Sequence, residues 1–98
     1  MIRSVLIHPG AEAEINETAD FYDLESVGLG GVFLDEVEHA IRGIRELPDA
    51  APPFVGRVRK RVLAKFPYSL LYSITDDEIR VLAVAHHKRR PFYWRGRR

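Results

Sequence analysis

The stretch best equipped for chemistry is His86-His87-Lys88-Arg89-Arg90-Pro91-Phe92-Tyr93-Trp94-Arg95, where bases and aromatic rings interleave. From His86 onward, the last 13 residues hold six Lys+Arg and no acidic side chain. Guanidinium and ammonium groups hold phosphate oxygens and exposed rings stack on unpaired bases, so this composition suits RNA or a nucleoprotein. A packing role competes for the same rings. Phe92, Tyr93 and Trp94 could equally fold back over a sheet's open edge and cap the core, leaving only the arginines outside. Two groups are suited to metal-free acid–base work on a phosphodiester: a histidine at the end of the last strand, and Tyr93. Imidazole titrates near neutral pH, a phenol donates or accepts, and neighbouring arginines would stabilise charge building on the phosphate. For a histidine beside Lys88 and Arg89, a structural or binding role is the commoner outcome.

A second basic set lies upstream. Arg57, Arg59 and Arg61 stand at i, i+2 and i+4, and strand alternation sends all three to one face, with Val58 and Val62 turned inward on the other. No metal centre or cofactor is expected. Adjacent His86 and His87 would project to opposite sides of a strand, and His8 and His39 belong to separate elements. Asp76-Asp77-Glu78 lacks the ligand spacing of a calcium loop and reads as a turn. Gly28, Gly30 and Gly31 follow a helix instead of a strand, which removes the context of a nucleotide-binding glycine loop.

The elements that must position these residues follow from periodicity. Arg57–Leu63, Tyr68–Ile74 and Ile79–Ala85 keep a period near two and are rich in β-branched and aromatic residues, giving three strands in a meander. Thr75 to Glu78 turn the last hairpin, and Pro67, with no N–H, suits the opening of its strand. Upstream, Ile2–Ile7 reads as a brief first strand. Pro9 opens a helix whose stripe of Ala11, Ile15, Ala19 and Tyr22 extends to Leu24, while Glu14, Glu17 and Asp20 face away. The glycines around Leu29 interrupt it. A second helix then carries Phe33, Val37, Ala40, Ile41, Ile44 and Leu47 at helical spacing until Pro48 ends it. Asp49–Gly56 is a Pro-rich crossing. The order β-α-α-β-β-β argues an α+β fold: an αα-hairpin packed on one face of a small, largely antiparallel sheet, with a basic aromatic tail.

At 98 residues the chain is expected to form one domain, residues 1–98, and it contains no cysteine for disulfides or thiolate metal sites. The apolar run Ser4–Ile7 is too short for a signal-peptide core or a membrane span, so no membrane association and a cytoplasmic location are expected. The net charge of +1 conceals 3 basic and 11 acidic side chains in residues 1–50, against 12 basic and 3 acidic in residues 51–98. The basic half calls for an anionic partner; the acidic helices read as a solvated face.

The element order, together with HPGAEAEINETADFY, GLGGVFLDEVEHAI, KFPYSLLYSI and above all VLAVAHHKRRPFYW, resembles the RelE/ParE superfamily of toxins from type II toxin–antitoxin (plasmid stabilisation) systems. The likeness spans essentially the whole chain, and the ending lies on the ParE-like side. It implies a toxin that inhibits DNA gyrase and is neutralised by a cognate antitoxin in a hetero-oligomer. The RelE-like alternative is a ribosome-dependent endoribonuclease acting on messenger RNA. Ribonuclease members are similar in using basic side chains with a C-terminal tyrosine or histidine, which here would be Arg59, Arg61, His86 and Tyr93. The Arg-Arg-Pro-Phe-Tyr-Trp ending departs from them. A third alternative is an inactive remnant that only binds antitoxin. The candidate target-binding set is Arg57, Arg59, Arg61, His87, Lys88, Arg89, Arg90, Tyr93, Trp94 and Arg95. A sheet edge that nothing blunts is the expected place for a partner's strand or helix.

Overall fold

A computed structural model describes residues 4–98. It contains strand β1 (Ser4–Ile7), helices α1 (Pro9–Glu25) and α2 (Leu29–Glu46), and strands β2 (Pro53–Val55), β3 (Val58–Val62), β4 (Tyr68–Ile74) and β5 (Glu78–His86). The sheet order is β1-β5-β4-β3-β2, with β1 parallel to β5 and the other pairs antiparallel. This is the expected α+β arrangement with one strand more than the sequence predicts. Ile2, assigned to the first strand, lies outside the described residues. Among the described residues no helix is long and apolar enough to cross a membrane.

The extra strand is β2, inside the crossing read as irregular. Prolines are tolerated there because β2 is an edge strand and needs no N–H on its outer side. Gly56, at φ 56°, takes the first central position of the two-residue turn from Val55 to Val58, where a hairpin requires positive φ.

Pro9 does open α1, as expected, and the His8 imidazole caps it, Nδ1 accepting from the Gly10 N–H at 2.9 Å. The second and third glycines of the interruption, Gly30 and Gly31, prove to be helical. Gly28 alone is left-handed, at φ 88°, and α2 starts at Leu29. Gly30 lets α2 pass close over the Ala19 carbonyl, and the Asp23 carboxylate accepts its N–H at 2.8 Å, so α1 supplies the cap that α2 lacks. Leu24 and Leu47, placed on the apolar stripes by spacing, are instead largely exposed at the helix ends.

The main core lies between the hairpin and one sheet face: Ala11, Ile15 and Ala19 of α1, Phe33, Val37, Ala40 and Ile44 of α2, and Leu70, Tyr72, Ile79, Val81 and Val84 from the central strands. Tyr22, Phe33, Phe66 and Tyr68 form a ring cluster at one end, with centroids 4.9 to 6.3 Å apart. A smaller core of Leu71, Ala83 and Trp94 sits on the opposite face, flanked by Val55, Val58, Ala85 and Tyr93.

Register decides which side chains reach which face. Arg59 pairs with Tyr72 and Arg61 with Leu70, so these two arginines do share a face, but it is the helix-covered one. The expected inward pair lies on the other face: Val58 packs against the smaller core, and Val62 is 57% exposed. Arg57 falls outside β3, exposed in the turn. Alternation is right and the sidedness is reversed: the Pro-rich crossing lays the Asp49 and Ala51 carbonyls within reach of the Arg59 guanidinium on that face. Arg59 donates to the Asp49 and Ala51 carbonyls and pairs with the Asp49 carboxylate at 3.3 Å; the Tyr72 hydroxyl donates to the Pro48 carbonyl at 2.8 Å.

Candidate functional site on the tail-covered face

Between Leu71 and Tyr72 the β4–β5 register slips, pairing Leu71 with Ala83 but Tyr72 with Val81 and leaving Leu82 as the extra residue of a bulge. A bulge frees backbone groups that must find partners elsewhere. The Glu14 carboxylate accepts from the Val84 N–H at 3.0 Å, and Arg97 donates through the same nitrogen to Glu14 at 3.0 Å and to the Leu82 carbonyl at 3.1 Å. The side chains of Glu14 and Arg97 are only 12% and 21% exposed. Glu14 was expected on the solvent face of α1; it lies inside the apolar stripe, where positions 11, 14, 15, 18 and 22 run along one side of the helix.

This bond fixes the tail. Residues after His86 run back across the sheet in successive turns, with Arg95 N–H to Phe92 O at 3.0 Å and Arg97 N–H to Trp94 O at 3.2 Å. Trp94 is buried, at 5% exposure, over Leu71 and Ala83. The Tyr93 ring is held between Arg89 and Arg97, whose guanidinium carbons stand 4.0 and 5.3 Å from its centroid. Its hydroxyl is buried and has no hydrogen-bond partner among the described residues. Burial pushes the phenol above its ordinary value, and the Glu14 carboxylate beside it raises it further against the opposing pull of Arg89 and Arg97.

Phe92 is the one non-glycine residue with positive φ among the described residues, at 61°. A bulky side chain in that region carries strain on the order of 1–3 kcal/mol, sustained only by the packing around it. Its ring faces Phe54 across 6.1 Å in a near-parallel stack, Trp94 meets it edge-on at 6.1 Å, and the Arg95 guanidinium carbon lies 4.8 Å from its centroid.

A cavity of about 150 Å³ opens between this tail and the sheet, walled by aromatic rings and by Lys60, Ser69, His87, Arg89 and Arg90. The two histidines diverge as strand geometry requires. His86 meets the Tyr68 ring edge-on at 4.9 Å and its Nδ1 accepts from the Lys88 N–H at 3.0 Å. His87 turns to the tail face, where its Nε2 is 2.9 Å from the Ser69 hydroxyl.

The expected site residues therefore separate into groups. His86, His87, Arg89, Arg90, Tyr93 and Trp94 line the cavity, and Lys88 and Arg95 are exposed close by. Arg59 and Arg61 are on the far face, Arg61 with its guanidinium against Gly43 of α2. Of Arg59, Arg61, His86 and Tyr93, the last two line the tail cavity while the two arginines lie on the opposite face of the sheet. Sequence reasoning missed Glu14, Phe54, Lys60, Ser69 and Arg97. Helical spacing could have found Glu14; the others come together only through sheet order. Among the described residues no group of three or more His, Asp or Glu side chains could hold a metal ion.

Comparison with known proteins gives a consistent result. The family model of the ParE toxin of the type II toxin–antitoxin system parDE matches residues 5–91. Toxin ParE2 of Mycobacterium tuberculosis, in strains CDC 1551 / Oshkosh and ATCC 25618 / H37Rv alike, is 28% identical over 92 residues, covering 93% of this chain and 88% of the relative. A solved structure titled as the chromosomal ParDE TA system from P. aeruginosa superposes with a TM-score of 0.77 at 17% identity, over 87% of this chain and 96% of that one.

Proposed function

Because the chain belongs to the ParE toxin family of type II toxin–antitoxin systems, we propose that it inhibits DNA gyrase and is neutralised by a cognate antitoxin, both in the cytoplasm. The family match over residues 5–91 is the observation that carries the reading. The tail supports it. Lys88, Arg89, Arg90 and Arg95 are exposed, and among the described residues none of them pairs with a carboxylate. They form a cationic rim that a negatively charged protein–DNA surface would meet.

The antitoxin's place has its own support. β2 pairs with β3 only through Pro53–Arg59 and Val55–Val58, so the β3 edge beyond Lys60 faces no strand. Grooves flank that edge on both sides. One, of about 540 Å³, runs between α2 and β3 past Val32, His39, Ala40 and Val62. The other, of about 500 Å³, lies along Pro52, Pro53 and Phe54. An apolar helix or an added strand is the kind of segment that such an edge accepts.

Purified protein added to a supercoiling assay should block gyrase or trap cleaved DNA, and added to a translation extract should leave messenger RNA intact. Cleaved messages with undisturbed supercoiling would install the ribonuclease reading instead. Inactivity in both assays, with antitoxin binding retained, would leave the inactive remnant.

A further inference from the structure

The tail cavity shares Arg89 and Arg90 with the cationic rim assigned to the target, and adds to them an enclosed space, Lys60 and two rings that neither gyrase inhibition nor antitoxin capture calls for. Three of its lining side chains, Lys60, Arg89 and Arg90, are cations; its lining includes no acid, and among the described residues none of the three makes an ion pair. Arg42, Arg59, Arg80 and Arg97 are each paired with a carboxylate elsewhere; what distinguishes Lys60, Arg89 and Arg90 is that they line one cavity together. Ser69 and His87 add hydrogen-bonding groups to the same wall. At the mouth stand two half-exposed rings, Phe54 at 46% and Phe92 at 39%, stacked on each other, with the Lys60 Nζ 4.9 Å from the Phe54 centroid and Arg95 over Phe92, whose strained backbone conformation presents it there. Strain of this kind collects where a ligand is held.

We propose that this cavity binds a nucleotide unit, its phosphate among Lys60, Arg89 and Arg90 and its base against Phe54 and Phe92. Size and charge select that ligand class. About 150 Å³ is the room that one small ring or one phosphate group needs, so a whole nucleotide does not enter and its parts must divide between cavity and rim. Three cations match a phosphate monoester, which carries a charge of about −1.5 to −2 and three acceptor oxygens, better than they match a singly charged carboxylate. Two exposed rings beside an anion site are what a base would stack on, and stacking tolerates any base. The same chemistry is offered by a free nucleotide and by the end of a single strand.

The test uses the full chain alone and follows amide and indole NMR signals during titration with adenosine 5′-monophosphate, adenosine, ribose 5-phosphate, a trinucleotide with a 5′-phosphate, and a glutamate-rich peptide. The monophosphate should saturate with a Kd on the order of 0.1–1 mM, shifting Ser69, His87, Phe92 and Trp94, and should bind at least about tenfold tighter than adenosine or ribose 5-phosphate. Lys60→Met and Arg89→Gln should each weaken it roughly tenfold. Phe92→Ala should bring it down to the level of ribose 5-phosphate while leaving ribose 5-phosphate itself unchanged. A trinucleotide that binds at least about tenfold tighter than the mononucleotide assigns the site to strand ends; equal affinity assigns it to free nucleotides. Three results overturn the proposal: no advantage of the monophosphate over ribose 5-phosphate, no effect of the three substitutions, or tighter binding of the glutamate-rich peptide. Neither gyrase nor antitoxin enters the assay, so its failure leaves the gyrase reading standing.

Discussion

Replacing Glu14 by alanine should destabilise the fold by about 3 kcal/mol, although Glu14 sits in a helix and does not belong to the predicted target-binding set. One part of that figure comes from the Val84 N–H, which has the Glu14 carboxylate as its acceptor at the bulge and would be left buried and unpaired, a loss of about 1–3 kcal/mol. The other part comes from Arg97. Breaking a fully buried ion pair costs about 3–5 kcal/mol. Here the guanidinium keeps one-fifth of its exposure and its bond to the Leu82 carbonyl, which brings that contribution down to about 1–2 kcal/mol. Glutamine at the same position keeps an oxygen for the Val84 N–H and loses only the ion pair, so Glu14→Gln should cost about half as much as Glu14→Ala. Urea unfolding followed by the fluorescence of Trp94, the chain's single tryptophan, measures both. A double-mutant cycle with Arg97→Met should give a coupling of about 1–2 kcal/mol. A Glu14→Ala variant within about 0.5 kcal/mol of the parent, or a Glu14→Gln variant as damaged as the alanine, would refute the claim that this carboxylate closes the bulge and ties down the tail.

Trp94→Ala should lose about 3–5 kcal/mol and with it the gyrase inhibition, because it empties the smaller core, while Tyr93→Phe should stay toxic and change stability by less than about 1 kcal/mol, since the hydroxyl it removes is unpaired; thermal melts and a growth assay check both. Arg89→Ala with Arg90→Ala should cost no more than about 1 kcal/mol, from the lost Arg89–Tyr93 contact, and weaken gyrase inhibition, read in the supercoiling assay at two salt concentrations. In alkali the raised phenols of Tyr22, Tyr72 and Tyr93 keep their protons in the folded chain after the unfolded chain has lost them near pH 10, so stability is level below that pH and falls above it. Tyr93→Phe should remove up to about 1.4 kcal/mol per pH unit from that slope, measured by urea midpoints between pH 9 and about 11.

The elements were legible because each is written in a local period. Ala11, Ile15, Phe33, Val37 and Ile44 fall on helical stripes, the three long strands alternate, and Pro9 and Pro48 bound the helices. What local pattern could not show was sidedness. Whether Arg59 or Val58 faces the helices depends on how the Pro-rich crossing is laid down, and that depends on carbonyls of Asp49 and Ala51 that no periodicity records. Glu14 was misplaced for a related reason: a carboxylate on an apolar stripe looks like solvent until the Val84 N–H, 70 residues away, is known to need it. The tail residues that form the cavity were recognised from composition alone. Their companions Phe54, Lys60 and Ser69 came from three different strands or turns and had no shared motif to announce them.

The parallel pairing of β1 with β5 has a consequence for the order in which this molecule can come into being. Ser4 is registered opposite Glu78, and Glu14 is bonded to Arg97 across 83 positions of chain. As a ribosome delivers the chain, α1 and α2 can form early from their own backbone bonds, but the strand that lies between β1 and β4 arrives near the end. Until then, β1 has no neighbour and Ala11, Ile15 and Phe33 have no floor of Ile79, Val81 and Val84 to rest on. Contacts of such long separation place loop closure before reward, which slows folding and makes it all-or-none. The tail face thus becomes recognisable only in that late event, since a chain halted before Leu82 lacks Ala83 and Trp94, two of the three buried residues of the smaller core, and the Arg97 that ties the tail to Glu14.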